Sequence, residues 1–422
     1  MSSPAVVMNM FYTGLGIARS LGSRGIDVIG LTAQRGIYGN YTRYAKTVFC
    51  PDSRKDPEAL AAFLAGLAKK IGRRAVLFPT RDDDVVFLDR FRDQLEPHYS
   101  LVIPSSDAIA ACLDKWQTYL CARQAGVPTP KCWLIDSNED LDSAAREAAY
   151  PCVLKALAAH HWRRGDNWKI VGARKAIAIP SSEALRAEYA VVRRAESRAL
   201  LQEMIPGDEE SLVATACYID RNFRWAGSFT TQKLAQEPPM FGTGCIVQTT
   251  DLSELSGPTQ RLLEEMRFSG LAEVEYKWDP NEKTYKLIEV NARPWDQHGL
   301  GRACGIDLIP LAYSDHAGLP MPVLNGNQAT QKWVAEDAFV TAAVRSLGRR
   351  DGRLRRLVRL ARGNRTYAIW SAGDPLPFLC YFGFRLLPRL VGAGLKHLWS
   401  RLWDHPEAVA RSGQKTSWKH CL

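Results

Sequence analysis

Leu271-Ala272-Glu273-Val274-Glu275-Tyr276-Lys277-Trp278 and Tyr285-Lys286-Leu287-Ile288-Glu289-Val290-Asn291-Ala292-Arg293 are joined by Asp279-Pro280-Asn281-Glu282-Lys283, a run of turn formers. Alternation along an extended chain places Glu273, Glu275 and Lys277 on one face of the first strand, and Val274, Tyr276 and Trp278 on the other. In the second strand Glu289, Asn291 and Arg293 share a face, opposite Ile288, Val290 and Ala292. A hairpin folded symmetrically about residue 282 sets Glu275 directly across from Glu289. Two opposed carboxylates repel and weaken a sheet unless something positive lies between them. A divalent cation meets that need. Magnesium prefers hard oxygen ligands and keeps substrate phosphates in its shell, and Asn291 offers an amide oxygen beside the two carboxylates. On spacing alone, a hairpin whose charged face is merely wet explains the pattern equally well.

The surrounding chain has 422 residues, a length that suggests about three domain-sized units. With 46% hydrophobic and 24% charged residues it reads as globular, which excludes disordered and fibrous classes. Met1 to Met10 lacks a basic region followed by a long apolar run, so no secretory signal is read there and a cytoplasmic location is expected. Ten cysteines are scattered without a CxxC pair or a nearby histidine at zinc spacing, and read as reduced core thiols. The formal charge of +10 is confined to one end: residues 341–422 hold sixteen basic and four acidic residues, leaving 39 and 41 in the remainder. A nucleic-acid partner is therefore not expected for the body of the chain.

The amino-terminal stretch alternates strands and helices. Ala5 to Met10 and Ile26 to Leu31 are apolar, separated by Gly14, Gly16 and a helical run; Ala75 to Phe78 and Leu101 to Ile103 follow. This predicts a doubly wound parallel sheet over residues 1–110. A dinucleotide site is not supported, because Arg19 stands where the third glycine of GxGxxG belongs and no acid occurs between Asp27 and Asp52. Helix Asp114 to Ala125 and the linker Gly126-Val127-Pro128-Thr129-Pro130 mark a boundary. Beyond it, runs at Pro151 to Ala156, Ala176 to Ile179, Leu200 to Ile205 and Leu212 to Ile219 predict an α+β lobe.

Several segments in order resemble the ATP-grasp superfamily, nearest its carbamoyl-phosphate-synthase-like and D-aspartate-ligase-like branches. Val274-Glu275-Tyr276-Lys277 with Glu289-Val290-Asn291-Ala292-Arg293 resembles the metal-binding end. Asp114-Lys115 and the proline linker resemble the entry to the ATP lobe, Tyr150-Pro151-Cys152-Val153-Leu154-Lys155 the strand whose lysine contacts phosphates, and Gln202-Glu203-Met204-Ile205-Pro206-Gly207 the hinge that holds adenine. The resemblance covers roughly residues 110 to 320. It implies a two-lobed ATP-grasp fold after the α/β domain, with a small ATP lobe at 111–205, a large lobe carrying the metal at 206–325, and a basic helical appendix at 326–422. It further implies an ATP- and magnesium-dependent ligase that activates a carboxylate as an acyl phosphate and joins it to an amine. Lys115, Lys155, Lys175, Glu203, Ile205 and Glu210 would contact ATP, Glu275, Glu289 and Asn291 would hold the metal, and Arg293 would serve at the acyl phosphate. Each keeps a plain alternative: strand-end lysines are usually solvated, and the acids of Gly207-Asp208-Glu209-Glu210-Ser211 suit a turn. Bicarbonate activation and a non-catalytic scaffold are the alternative functions.

The sequence departs from the family pattern in two places. Between Lys155 and Lys175 only Gly165 and Gly172 occur, while His160, His161, Trp162, Arg163 and Arg164 suggest closure through side-chain charge. Asn291-Ala292-Arg293 replaces the family's frequent Asn-Pro-Arg. Lys233 also falls at a family position, although a surface lysine is the simpler reading. Leu354, Leu357, Val358 and Ala361 recur at helical spacing among arginines, compatible with peripheral contact with anionic lipid or with packing on the protein itself. Charges interrupt the tail too often for it to span a bilayer.

Overall fold

The computed structural model describes residues 3–387 except 164, 327–329 and 348–351. Arg164 and the tail from 388 onward lie outside the described residues. The first sheet contains β1 (Ala5–Met8), β2 (Val28–Thr32), β3 (Lys46–Phe49), β4 (Ala75–Phe78) and β5 (Tyr99–Leu101), all parallel, in the order β3-β2-β1-β4-β5. Helices cover both faces of such a sheet, so its central strands are apolar throughout; all four residues of β1 and of β4 are buried. The chain reverses direction across the sheet between β1 and β4, and the crevice outside their carboxyl ends is where open α/β sheets bind ligands. Asn9 and Pro79-Thr80-Arg81-Asp82 occupy that crevice.

Gly14 and Gly16 serve close packing. A Cβ on Gly14 would lie 1.9 Å from the Asn9 carbonyl oxygen, and one on Gly16 would lie 2.6 Å from His298 Nε2. The helix Tyr12–Gly22 is thereby pressed against the strand end and against the segment following Arg293.

The small lobe is a four-stranded antiparallel sheet of β6 (Cys132–Ile135), β7 (Cys152–Lys155), β8 (Ala176–Ile179) and β9 (Ala199–Glu203), ordered β6-β9-β7-β8. The large sheet comprises β10 (Leu212–Ile219), β11 (Trp225–Glu237), β12 (Thr243–Thr250), β13 (Gly270–Asp279), β14 (Thr284–Asn291), β15 (Lys332–Val334) and β16 (Arg365–Tyr367), ordered β14-β13-β10-β11-β12-β15-β16. The carboxy-terminal part thus contributes two strands to this sheet besides its helices. Helix Arg353–Leu360 lays Leu357 into a cluster with Leu234, Ala235, Cys245, Ile246 and Ala342, so its apolar face packs on the protein itself. Arg355, Val358, Arg359 and Arg362 point outward.

A buried ion pair fastens this part to the amino-terminal domain. Arg19 Nε donates to Asp374 Oδ2 at 2.9 Å, and its Nη2 donates to the carbonyls of Ile369 and Asp374. Asp374 also accepts from Thr42 Oγ1 and the Arg43 amide. Glu336 accepts both the Ile369 and Trp370 amides. Among the described residues no helix is long and apolar enough to cross a membrane.

Asp374 is 1% exposed, so Asp374→Ala would leave a buried guanidinium without its counter-charge. The expected cost is about 3–5 kcal/mol in urea unfolding. A loss below about 1 kcal/mol would show that the pair does not bind the two ends together.

Candidate active site

The three sheets converge on a cleft of about 480 Å³, within the range of small-molecule sites. The amino-terminal domain lines it with Thr80, Arg81 and Asp82, the small lobe with Lys155, Lys175 and Glu203, and the large lobe with Lys233, Glu275, Glu289, Asn291 and Arg293.

The β13–β14 hairpin sets the centre. Its pairs run Asp279↔Thr284, Trp278↔Tyr285, Lys277↔Lys286 and Tyr276↔Leu287, then step by one residue to Glu275↔Glu289, Val274↔Val290 and Glu273↔Asn291. The expected opposition of Glu275 and Glu289 is therefore present, but the hairpin is not symmetric. Ile288 is an extra residue in β14, and without that bulge Glu275 would face Ile288. The bulge also pairs Glu273 with Asn291, whose Nδ2 donates to Glu273 Oε2 at 3.0 Å. Three carboxylates and the Asn291 amide thus stand at neighbouring positions of the two strands.

Lysines surround these acids. Lys233 Nζ lies 2.7 Å from Glu275 Oε2, and Lys115 Nζ lies 3.5 Å from Glu289 Oε1. Lys155 Nζ donates to Gln202 Oε1 at 2.8 Å, and Lys175 Nζ to Thr243 Oγ1 at 3.3 Å. Burial and then the Lys115 charge lower the Lys155 ammonium to about 8. Burial, with Arg163 next, also lowers Lys175. Burial together with Glu275 pushes the Glu273 carboxyl up to about 8. Burial works against ionised Glu289, yet Lys115, Lys155 and Lys175 hold its carboxyl below the usual range. The cleft thus gathers Lys115, Lys155, Lys175 and Lys233 around Glu273, Glu275 and Glu289. That donor set fits magnesium on Glu275, Glu289 and Asn291, with Glu273 as an acid the sequence reading left unassigned.

Sequence expectation and structure differ at Lys233. Lys233 is enclosed beside Glu275, which overturns its reading as a surface lysine. Glu210, expected at the ribose, lies outside the cleft lining, where its Oε1 accepts from Arg356 at 2.9 Å. Its turn carries three consecutive acids, Asp208, Glu209 and Glu210, and all three lie within ion-pair distance of Arg356 from the carboxy-terminal helix. Ile205 lines the cleft through a buried side chain while its carbonyl accepts from Lys277 Nζ at 2.8 Å. Glu203 Oε2 accepts from the Lys131 amide and lies 3.4 Å from Lys286 Nζ. Lys286 also lies 2.8 Å from both Asp279 and Glu282, so an ammonium already fills that second acidic cluster. Between Lys155 and Lys175, Arg163 reaches the cleft, while Gly165 and Gly172 take positive φ angles of 49° and 64° as turn residues.

Arg293 joins the large lobe to the amino-terminal domain, its Nε donating to Asp82 Oδ1 at 2.6 Å. Nearby, Thr13 Oγ1 donates to Asp296 Oδ1 at 2.9 Å. Neither contact follows from local sequence, because the partners are 211 and 283 residues apart.

No protein-family model matches the chain. Among curated proteins it is similar to the D-aspartate ligase of Enterococcus faecium, with 21% identity over 266 residues that cover 60% of this chain and 62% of the ligase. It is also similar to a D-alanine–D-alanine ligase of Azoarcus, with 29% identity over 27% of this chain and 32% of that protein. The chain therefore spans less than two thirds of either ligase. Among solved structures, the biotin carboxylase domain of the Hydrogenobacter thermophilus 2-oxoglutarate carboxylase, solved with MgADP, ADP and bicarbonate, superposes with a TM-score of 0.60 at 16% identity over 76% of this chain and 71% of that one. Motif order, sheet topology and these likenesses agree that the chain is a protein of the ATP-grasp fold.

Proposed function

We propose that this chain is an ATP- and magnesium-dependent ligase that phosphorylates a carboxylate and passes the acyl group to an amine. The observation that carries the proposal is the cross-strand pair Glu275↔Glu289 enclosed by Lys115, Lys155, Lys175 and Lys233. This arrangement offers positive charge for a triphosphate beside a carboxylate pair for its metal. Ile205 and Ile288 supply apolar walls for adenine, with Glu203 at its edge. The lysines neutralise phosphate oxygens as charge shifts toward the leaving nucleotide. Glu275, Glu289 and Asn291 would hold magnesium, which would supply positive charge to offset that of the phosphates. Arg293 faces the same cleft and is suited to steady the transferring phosphoryl group. Intact Lys155, Glu275, Glu289 and Asn291 argue against a scaffold without turnover. ADP release screened against carboxylates and amines, with bicarbonate as a separate carboxylate, tests the proposal; absence of release with every pair would return the chain to a binding role.

Glu289→Gln keeps the volume and removes one charge from a repelling group. Magnesium affinity should fall by at least the roughly 10-fold that even an outer-shell loss costs. The melting temperature should fall slightly, because Lys115, Lys155 and Lys175 lose the counter-charge that keeps Glu289 ionised. Unchanged turnover at limiting magnesium would remove Glu289 from the metal site.

Lys155 gives a pH signature. Its ammonium lies near 8 in the free protein, and bound phosphate stabilises the charged form, so nucleotide binding above pH 8 should take up a proton. Calorimetry in two buffers of different ionisation enthalpy at about pH 8.5 measures this uptake. Lys155→Met should abolish it and weaken nucleotide binding. Identical enthalpies in both buffers would contradict the assignment.

The proposal includes a cytoplasmic location and a peripheral contact with anionic lipid. Its support is the outward arginine face of helix Arg353–Leu360 and the exposed Leu379, Phe382 and Phe384 that follow. Each arginine near an anionic surface contributes about 1 kcal/mol. The full chain should sediment with anionic vesicles at low salt and be released at high salt. Recovery in the supernatant at low salt would leave the arginine face as ordinary solvated surface.

A further inference from the structure

The crevice of the amino-terminal sheet reaches the reacting end of the cleft through one loop. Asp84, fully buried, holds that loop rigid: its carboxylate accepts from the amides of Thr80 and Arg81, from Asn9 Nδ2 at 2.7 Å, from Ser53 Oγ at 3.1 Å and from Arg81 Nη2 at 3.0 Å. Asp82, two residues earlier, opens the helix Asp82–Arg90 and is presented to Arg293 at 2.6 Å. The Arg293 side chain makes two further contacts, Nη1 to the Pro294 carbonyl at 3.1 Å and Nη2 to Asn291 Oδ1 at 3.4 Å. A guanidinium has five N–H groups, one on Nε and two on each terminal nitrogen. Asp82 takes the Nε hydrogen, so one hydrogen on each terminal nitrogen remains for an anion in the cleft.

We propose that Asp82 is a positioning residue that fixes the plane of Arg293, so that the phosphoryl-transfer site is complete only when the amino-terminal domain is docked on the large lobe. This rests on the reading of Arg293 given above. The single contact through Nε matters chemically: a carboxylate gripping both terminal nitrogens would compete with phosphate, whereas one at Nε orients the fork and leaves it open. The support is rigid, because Asp84 ties the loop to the strand ends of β1 and β4. Asp82 stays ionised in this setting: burial opposes its charge, but Arg293, followed by Arg163 and Lys115, holds the carboxyl below its usual range.

The test uses the full chain with MgADP and aluminium fluoride, which together mimic a transferring phosphoryl group, compared by calorimetry with MgADP alone. Asp82→Asn should reduce the tightening produced by aluminium fluoride about tenfold or more, as expected for losing a hydrogen bond between ions, while MgADP affinity stays unchanged. Asp82→Glu should restore part of the effect. The double variant Asp82→Asn with Arg293→Lys should be no worse than Arg293→Lys alone, since one residue acts through the other. If Arg293→Lys leaves the tightening intact, the reading of Arg293 fails. If Arg293→Lys abolishes it and Asp82→Asn does not, the positioning role alone is overturned. If Asp82→Asn lowers MgADP affinity and melting temperature together without a selective loss, the contact is structural. Should Asp82→Asn fold poorly, full tightening in Asp82→Glu with its melting temperature lowered counts against positioning, and reduced tightening at a normal melting temperature supports it.

Discussion

An extra residue in one strand creates the charge conflict on which the rest of the cleft depends. Ile288 bulges from β14, Glu289 moves opposite Glu275, and Glu273 falls opposite Asn291. Like charges at directly opposed positions destabilise a sheet, so this geometry persists only where neighbours offset it. Lys233 from β11 and Lys115 from the helix entering the small lobe do so from two sides. Three separate elements are thus drawn to one point by electrostatics, and the point is left with charge that only ligands can complete. Sites built this way exchange stability for readiness.

The Arg293–Asp82 contact performs a related task between domains. It crosses from the large lobe to the crevice between β1 and β4, while the glycines of Gly14-Leu15-Gly16 admit His298 and the Asn9 carbonyl at distances no side chain would permit. The glycine turn that superficially suggests a nucleotide loop therefore acts as a packing seam. The amino-terminal sheet contributes the floor of the cleft, and the two lobes contribute the walls.

Much of this was legible in the sequence where periodicity is strong. The runs Ala75–Phe78, Ala176–Ile179 and Leu212–Ile219 coincide with strands, because apolar residues bounded by turn formers have few other places to go. The long strands Trp225–Glu237 and Thr243–Thr250 escaped notice, since threonine, glutamine and glycine interrupt their apolar pattern and their order comes from neighbours in the sheet. The Glu275–Glu289 opposition was inferred from a symmetric turn and is present for a different reason: the turn centre lies half a residue earlier and the bulge restores the offset. The acids of the turn that carries Glu210 answer Arg356 from a helix 146 residues away, a partner no local pattern reveals. Lys286, buried among three acids, was invisible for the same reason.

The Arg19–Asp374 pair also orders events in time. Its two members are separated by 355 residues, so at roughly 5–20 residues per second the guanidinium leaves the ribosome about 20–70 seconds before its carboxylate. Throughout that interval the helix Tyr12–Gly22 carries a cation meant for the interior with nothing to receive it. The amino-terminal domain can form its sheet early, but the surface around Arg19 must remain hydrated until residues 365–374 arrive. Synthesis therefore holds the seam around Arg19 open until the segment that carries Asp374 has emerged.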